Sequence, residues 1–183
     1  MQTFLTSTHE NPLRAAQDTF AMLDRARLGK QRVEAAQLLN GQWPNHPASK
    51  MWRGHEHALT AYAIICCKSW IQRGHDDSLL AQFQQHRKRL IADDIPLVWP
   101  WWYGYPAMVR THQTKLYHKN SPRWVNYHIE TAPRHLVMRL PYIWPHPDDE
   151  GLFTVSVAEA KRGDWEIPSS WSFDPKSRVV IPR

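Results

Sequence analysis

The chain predicts a mainly α fold: a compact helical bundle of three principal helices with long aromatic and proline-rich loops and a short irregular or hairpin C-terminal extension. Three observations carry this. Apolar residues recur at helical spacing in three segments up to about residue 91, fourteen prolines and ten tryptophans punctuate the chain, and residues 148–183 show no helical period. At 183 residues the chain has single-domain size. A chain that long buries roughly 68–70% of its unfolded surface and needs neither disulfides nor a metal to stay folded.

The first residues form a short extended segment. Pro12 and the run LRAAQDTFAML then predict a helix over about 13–22. The next segment, DRARLGKQRVEAAQLLNG, sets Leu28, Ala35, Leu38 and Leu39 on one apolar stripe and stops at Asn40-Gly41. Arg25, Arg27, Lys30, Arg32 and a single acid, Glu34, fall on its other faces. Pro44 and Pro47 forbid a continuous helix through QWPNHP. A long helix follows from about Ala48 to Arg73, with Met51, Ala58, Leu59, Tyr62, Ile65 and Cys66 inward and Gly74 at its C-terminal end. Asp76-Asp77-Ser78 opens an amphipathic helix over about 78–91 whose polar side reads QQHRKR. The proline-spaced string DDIPLVWPWWYGYPAM cannot be one regular element, and its three tryptophans argue for order imposed by packing or by a ligand. A short helix over about 107–118, a helix start at Ser121-Pro122 and LPYIWPHP complete a basic domain over residues 1–147. Residues 148–183, with LFTVSVAEA and RVVIP, form an extension packed on that domain or partly flexible.

Charge divides the same two parts. The net charge is +6, and residues 148–183 hold seven acids against five bases, so residues 1–147 carry +8. Eight of the ten tryptophans also precede residue 148. Bases mixed with exposed rings suit a polyanion whose own bases can be stacked upon, although most of these rings are expected in the core. Cys66 and Cys67 adjoin each other in an apolar run and read as small buried hydrophobes, neither a disulfide nor a zinc knuckle. A secreted disulfide scaffold is therefore excluded. No apolar run approaches the roughly 18 residues of a membrane span, and the N-terminus lacks the basic and apolar regions of a signal peptide. His55 and His57 would point about 200° apart on a helix and cannot share an ion. Neither a GxxxxGK loop nor a Gly-x-Ser-x-Gly elbow occurs. Asp76/Asp77 and Asp93/Asp94 sit at predicted helix boundaries, where capping accounts for them.

Glu34 is the carboxylate left over. It is either the i,i+4 partner of Lys30, worth about 0.2–0.5 kcal/mol, or a carboxylate set by phosphate-gripping bases against a sugar or glycosidic bond. Composition and spacing alone favour the plain pairing.

The run RLGKQRVEAAQLL, then NHP, a long helix and HQTKLYHKNSPRWVNYH together resemble, over about residues 1–145, the pyrimidine-dimer DNA glycosylase family, whose best known member is a small phage enzyme. The resemblance implies a DNA repair or modified-base glycosylase, with or without abasic-site lyase activity. Enzymes of this family attack C1′ of a flipped or kinked nucleotide with their own N-terminal amine. A pKa of about 7.7–8.0 leaves part of that amine unprotonated at neutral pH. The base leaves, a Schiff base remains, and proton abstraction at C2′ permits strand cleavage by β-elimination. On this resemblance Glu34 corresponds to the catalytic glutamate, and Arg27 falls at a pocket histidine. Three positions depart from the pattern: Gln2 stands where a threonine is exposed by methionine removal, and Val33 and Gln37 stand where arginines flank the glutamate. The nucleophile is accordingly the amine of Met1, or Lys30, or water, and a non-catalytic DNA-binding module on the same scaffold is the alternative.

The implied partner is double-stranded DNA, bound by a monomer in the cytoplasm of a bacterium or a phage-infected host, with no membrane, metal or cofactor. Arg25, Arg27, Arg32, Arg87 and Lys88 are expected on its phosphates, helped by Lys30 and Arg89. His46, Arg53, His112, Lys115 and Lys119 extend that footprint. Trp124 and Tyr127 resemble the family's DNA-contacting aromatic segment. Gln2, Gln37, Trp99, Trp102 and Tyr103 are expected to wall a base pocket, unless the aromatic loop simply closes the end of the bundle.

Overall fold

Asn11 accepts the N–H groups of Leu13 and Arg14 on its Oδ1, at 3.0 and 3.1 Å, and so caps the first helix, α1, over Pro12–Met22. Asp24 caps α2, Arg25–Leu39, by accepting the Arg27 N–H at 2.9 Å, and Gly41 at φ +69° turns the chain away after it. The computed structural model describes residues 3–118 together with four strands over residues 142–145, 152–155, 171–174 and 179–182.

The helix predicted from Ala48 to Arg73 is two helices. α3 covers Pro47–Met51, a turn through Gly54 at φ +78° redirects the chain, and α4 runs over Glu56–Gln72. Met51 and Ala58 lie seven residues apart and are both buried, so the apolar period passes straight through the break. The left-handed glycine is what ends the first piece. α5 over Leu80–Ala92 and α6 over Pro106–His118 fall close to the predicted helices.

α4 is the central helix, buried along most of its length. Its Tyr62 ring packs edge-on against Phe20 of α1 at 4.7 Å, and the Cys66 thiol donates to the Leu28 carbonyl of α2 at 3.6 Å. Both cysteines are free and fully buried, and burial pushes the Cys67 thiol up to about 12, so they are inert packing groups. Arg73, just past the end of α4, donates to the carbonyls of Phe20, Ala21 and Leu23 and satisfies the C-terminal end of α1. Phe83 is the buried anchor of α5.

The strands β1 (Tyr142–Pro145), β2 (Leu152–Val155), β3 (Trp171–Asp174) and β4 (Val179–Pro182) form one sheet in the order β1-β2-β4-β3. β1 and β2 are antiparallel with Tyr142 opposite Val155, β2 and β4 are parallel, and β3 and β4 are antiparallel with Trp171 opposite Pro182. Trp144 of β1 is buried in the same core as Phe4, Phe20 and Tyr62, and the His46 ring meets it edge-on at 5.8 Å. The whole is a mainly helical bundle with a short C-terminal extension. Among the described residues no helix is long and apolar enough to cross a membrane.

Candidate functional site

Residues 3–5 run extended and buried between the helices, and Thr6 continues them. A buried extended segment must still satisfy its backbone polar groups. Here side chains from four helices do so. Gln31 of α2 accepts the Phe4 N–H on Oε1 at 2.8 Å, and His112 of α6 accepts the Leu5 N–H on Nδ1 at 2.9 Å. Thr19 of α1 accepts the Thr6 N–H at 3.0 Å, and Gln113 of α6 donates to the Thr6 carbonyl at 2.9 Å. The Tyr62 hydroxyl of α4 reaches both the Phe4 carbonyl, at 2.9 Å, and Gln31 Oε1, at 2.8 Å. Burial pushes the Tyr62 phenol well above its ordinary pKa, which keeps it a donor. One residue earlier, Thr3 Oγ1 accepts from Trp52 Nε1 at 2.9 Å.

Gln31 passes this order on to Glu34. Because its Oε1 is held by donors, the amide turns its NH2 the other way, and Nε2 donates to Glu34 Oε2 at 3.0 Å. Lys30 Nζ stands 3.6 Å from Glu34 Oε1. Gln31 is fully buried and Glu34 is 5% exposed, whereas the Lys30 side chain is 68% exposed. Glu34 is therefore not on the outer, charged faces of its helix, where the sequence placed it. It lies at the seam where the face carrying Lys30, Val33 and Gln37 turns under toward the N-terminal segment. The physical reason is the i,i+3 pairing of two polar side chains, which lets a carboxylate sit on a core face without being orphaned. Gln31 escaped sequence analysis because its decisive partner, the backbone of residue 4, is 27 positions away.

The expected basic stripe is partly spent on the fold. Arg32 pairs with Asp77, whose carboxylate is wholly buried, and its guanidinium lies 4.4 Å over the Trp70 ring. Burial works against the Asp77 charge, but the Leu80 N–H, the Arg32 guanidinium and the Leu79 N–H outweigh it and hold the carboxyl below its ordinary value. Arg32 is thus a brace between α2 and the start of α5, with little surface left for a phosphate. Arg27 pairs with Asp24. Arg25 and Lys30 remain exposed, as do Arg53, Arg87, Lys88 and Arg89.

Two further footprint residues are corrected by burial. His112 is fully buried against Leu5, and Lys115 is 8% exposed. His46 caps α3, accepting the Ala48 N–H on Nδ1 at 3.0 Å. Burial, with the positive N-terminus second, lowers its pKa to about 4, so it carries no charge at neutral pH. Met1, Gln2, Lys119, Trp124 and Tyr127 lie outside the described residues.

The aromatic loop after α5 is held by two histidines that the sequence offered only as a failed metal pair. His55 Nδ1 lies 3.2 Å from the Val98 carbonyl and His57 Nδ1 lies 2.8 Å from the Ile95 carbonyl. Trp102 is 3% exposed and packs edge-on to Trp52 at 4.9 Å, which makes it core and not an open pocket wall. Trp99 and Tyr103 are half-buried, their rings 4.5 Å apart and tilted by 52°. The Tyr103 hydroxyl is buried without a hydrogen-bond partner. Gln37 is half-buried on α2, one turn beyond Glu34. Among the described residues no group of three His, Cys, Asp or Glu side chains converges as a metal centre does.

Residues 1–83 match the pyrimidine dimer DNA glycosylase family. That span is less than half of the chain, shorter than the resemblance over residues 1–145, and it holds Gln31, Glu34, Tyr62, Asp77 and the extended segment. It excludes the aromatic loop, α6 and the strands. No curated protein matches the chain. No solved structure matches it.

Proposed function

We propose that the chain is a DNA glycosylase that excises a damaged or modified pyrimidine with an amine nucleophile, its own N-terminal amine, assisted by Glu34. One observation carries this: four helices supply side chains to the backbone of residues 4–6, and one of those side chains, Gln31, also holds the Glu34 carboxylate. These bonds fix the course of residues 4–6 beside the helix that carries Glu34. The family match over residues 1–83 supports the same substrate class.

The chemistry follows from the groups. An unprotonated amine attacks C1′ as the C1′–N bond to the base breaks; the proton the new ammonium loses passes to O4′, the C1′–O4′ bond breaks, and the ring-opened sugar is held as an iminium. A carboxylate beside that cation stabilises it and is placed to move protons during ring opening. Loss of the C2′ proton from the same adduct expels the 3′ phosphate, which is the lyase step. The exposed Arg25 and Lys30 would take backbone phosphates around the site.

Glu34→Gln tests the assignment because it keeps the volume and the Gln31 contact but removes the charge. Turnover on a panel of duplexes bearing dimers, abasic sites and modified pyrimidines should fall about 10²- to 10⁴-fold. Duplex affinity should stay level or rise, because the negative charge beside the exposed Lys30 is gone. Full activity in this variant would end the catalytic role of Glu34. Salt-sensitive binding by a wild type that turns over nothing would favour the non-catalytic module.

A further inference from the structure

Trp99, Trp102 and Tyr103, the rings expected to wall a base pocket, are drawn wholly or partly inward, while among the described residues one indole stands outside. Trp43 is 59% exposed, in the loop between α2 and α3. It is also one of two non-glycine residues with a left-handed backbone among the described residues, at φ +59°. A bulky side chain in that region is strained. Burial of the ring does not compensate for it, because most of the ring is in water.

The loop that imposes this conformation is stitched on both sides. Gly41 N–H donates to the Leu38 carbonyl at 3.0 Å, Gln42 N–H to Gln37 at 2.9 Å and His46 N–H to Trp43 at 2.9 Å. Ser49 Oγ donates to the Gln42 carbonyl at 3.3 Å. Beyond it, His46 is locked as the cap of α3 and packed on Trp144. The backbone that carries the indole is thus fixed before anything stacks on the ring.

We propose that Trp43 is a stacking wedge for a nucleobase, entering the duplex beside the extruded nucleotide and replacing the stacking lost there. The surroundings favour a base over a protein partner. Around it in the loop stand Gln42, Pro44 and Asn45, and no other large exposed hydrophobic residue lies between α2 and α3, so there is no continuous apolar patch of the kind protein partners use. It follows directly on the helix whose outer face carries Lys30 and whose seam carries Glu34. This inference rests on the DNA reading above and adds to it a residue and a contact that the glycosylase chemistry alone does not require.

The test uses the full chain and a 30-base-pair duplex with one tetrahydrofuran abasic analogue opposite 2-aminopurine, compared with the same duplex without the analogue. Wild type should bind both with a salt-dependent affinity, prefer the analogue, and quench the 2-aminopurine fluorescence as the indole stacks in the gap opposite it. Trp43→Ala should lose that quenching and weaken binding to the analogue about 5- to 100-fold. Its affinity for the plain duplex and its salt slope should not change, and Trp43→Phe should keep most of the signal. Trp43→Gly should lose the signal while melting at a temperature no lower than wild type, because glycine relieves the left-handed backbone. A Trp43→Ala variant with wild-type preference and fluorescence would overturn the wedge while leaving the DNA reading intact. A wild type without salt-dependent duplex binding would overturn both.

Discussion

His46 has the residue type of a phosphate ligand and the surroundings of a helix cap. Its Nδ1 must be unprotonated to accept the Ala48 N–H, and burial lowers its pKa from 6.5 to about 4. Above about pH 6.5 the ring is neutral in both folded and unfolded chains and does not affect the balance. Between 6.5 and 4 the unfolded chain takes up a proton that the folded chain refuses, so stability falls as the solution is acidified; below about 4 this loss is complete. His46→Asn keeps a good capping side chain without the titration. Urea midpoints measured from pH 7.5 to 4 should therefore decline less steeply in the variant, and an unchanged decline would show that the ring's burial is not coupled to folding. Glu34 and Arg32 teach the complementary lesson. Their charges were legible in the sequence, but their burial was not, because Glu34 depends on Gln31 and the backbone of residue 4, and Arg32 on Asp77, 45 positions away.

At the level of elements, local signals sufficed wherever the chain ends its own helices. Asn11-Pro12, Asp24, Asn40-Gly41 and Asp77 mark boundaries that the structure keeps within a residue or two. The break after α3 was hidden because Met51 and Ala58 remain in phase across it, and the extended N-terminal segment has no pattern, since its partners come from four helices. The junction of α2 with α4 depends on Gly29. A methyl group there would lie 3.1 and 3.2 Å from two ring carbons of Trp70. That ring cannot easily yield: its Nε1 donates to the Asp76 carbonyl at 2.8 Å, Arg32 covers one face, and His75 packs at 4.2 Å. Alanine in mid-helix ordinarily gains up to about 1 kcal/mol over glycine, whereas overpacking costs about 1–3 kcal/mol. Gly29→Ala should thus be destabilising by about 1 kcal/mol in urea unfolding. A gain of the size expected from helix propensity would mean that Trp70 moves freely and that this junction is loose.

Across the whole molecule, α4 presents different chemistry on its different sides. Through Tyr62, Cys66 and Trp70 it holds α2, the Glu34 seam and the extended segment. Another side, with α1 and α5, forms a groove of about 710 Å³ lined by Arg14, Lys68 and Arg87 among others. Among the described residues the exposed cations are therefore not one continuous stripe, and Arg25 and Lys30 lie on α2, the helix that carries Glu34. The proposed nucleophile and Glu34 both fall within the matched span of residues 1–83. An abasic site offers its aldehyde whichever base has been lost, so the nucleophile can be identified before the natural lesion is known. The most direct measurement is borohydride reduction of the full chain with an abasic duplex in excess chelator, followed by peptide mass spectrometry of the adduct. The account predicts a covalent complex at the N-terminal amine, formed without metal and strongly reduced in Glu34→Gln. An adduct on Lys30, or strand cleavage with no trapped adduct at the N-terminus, would contradict it.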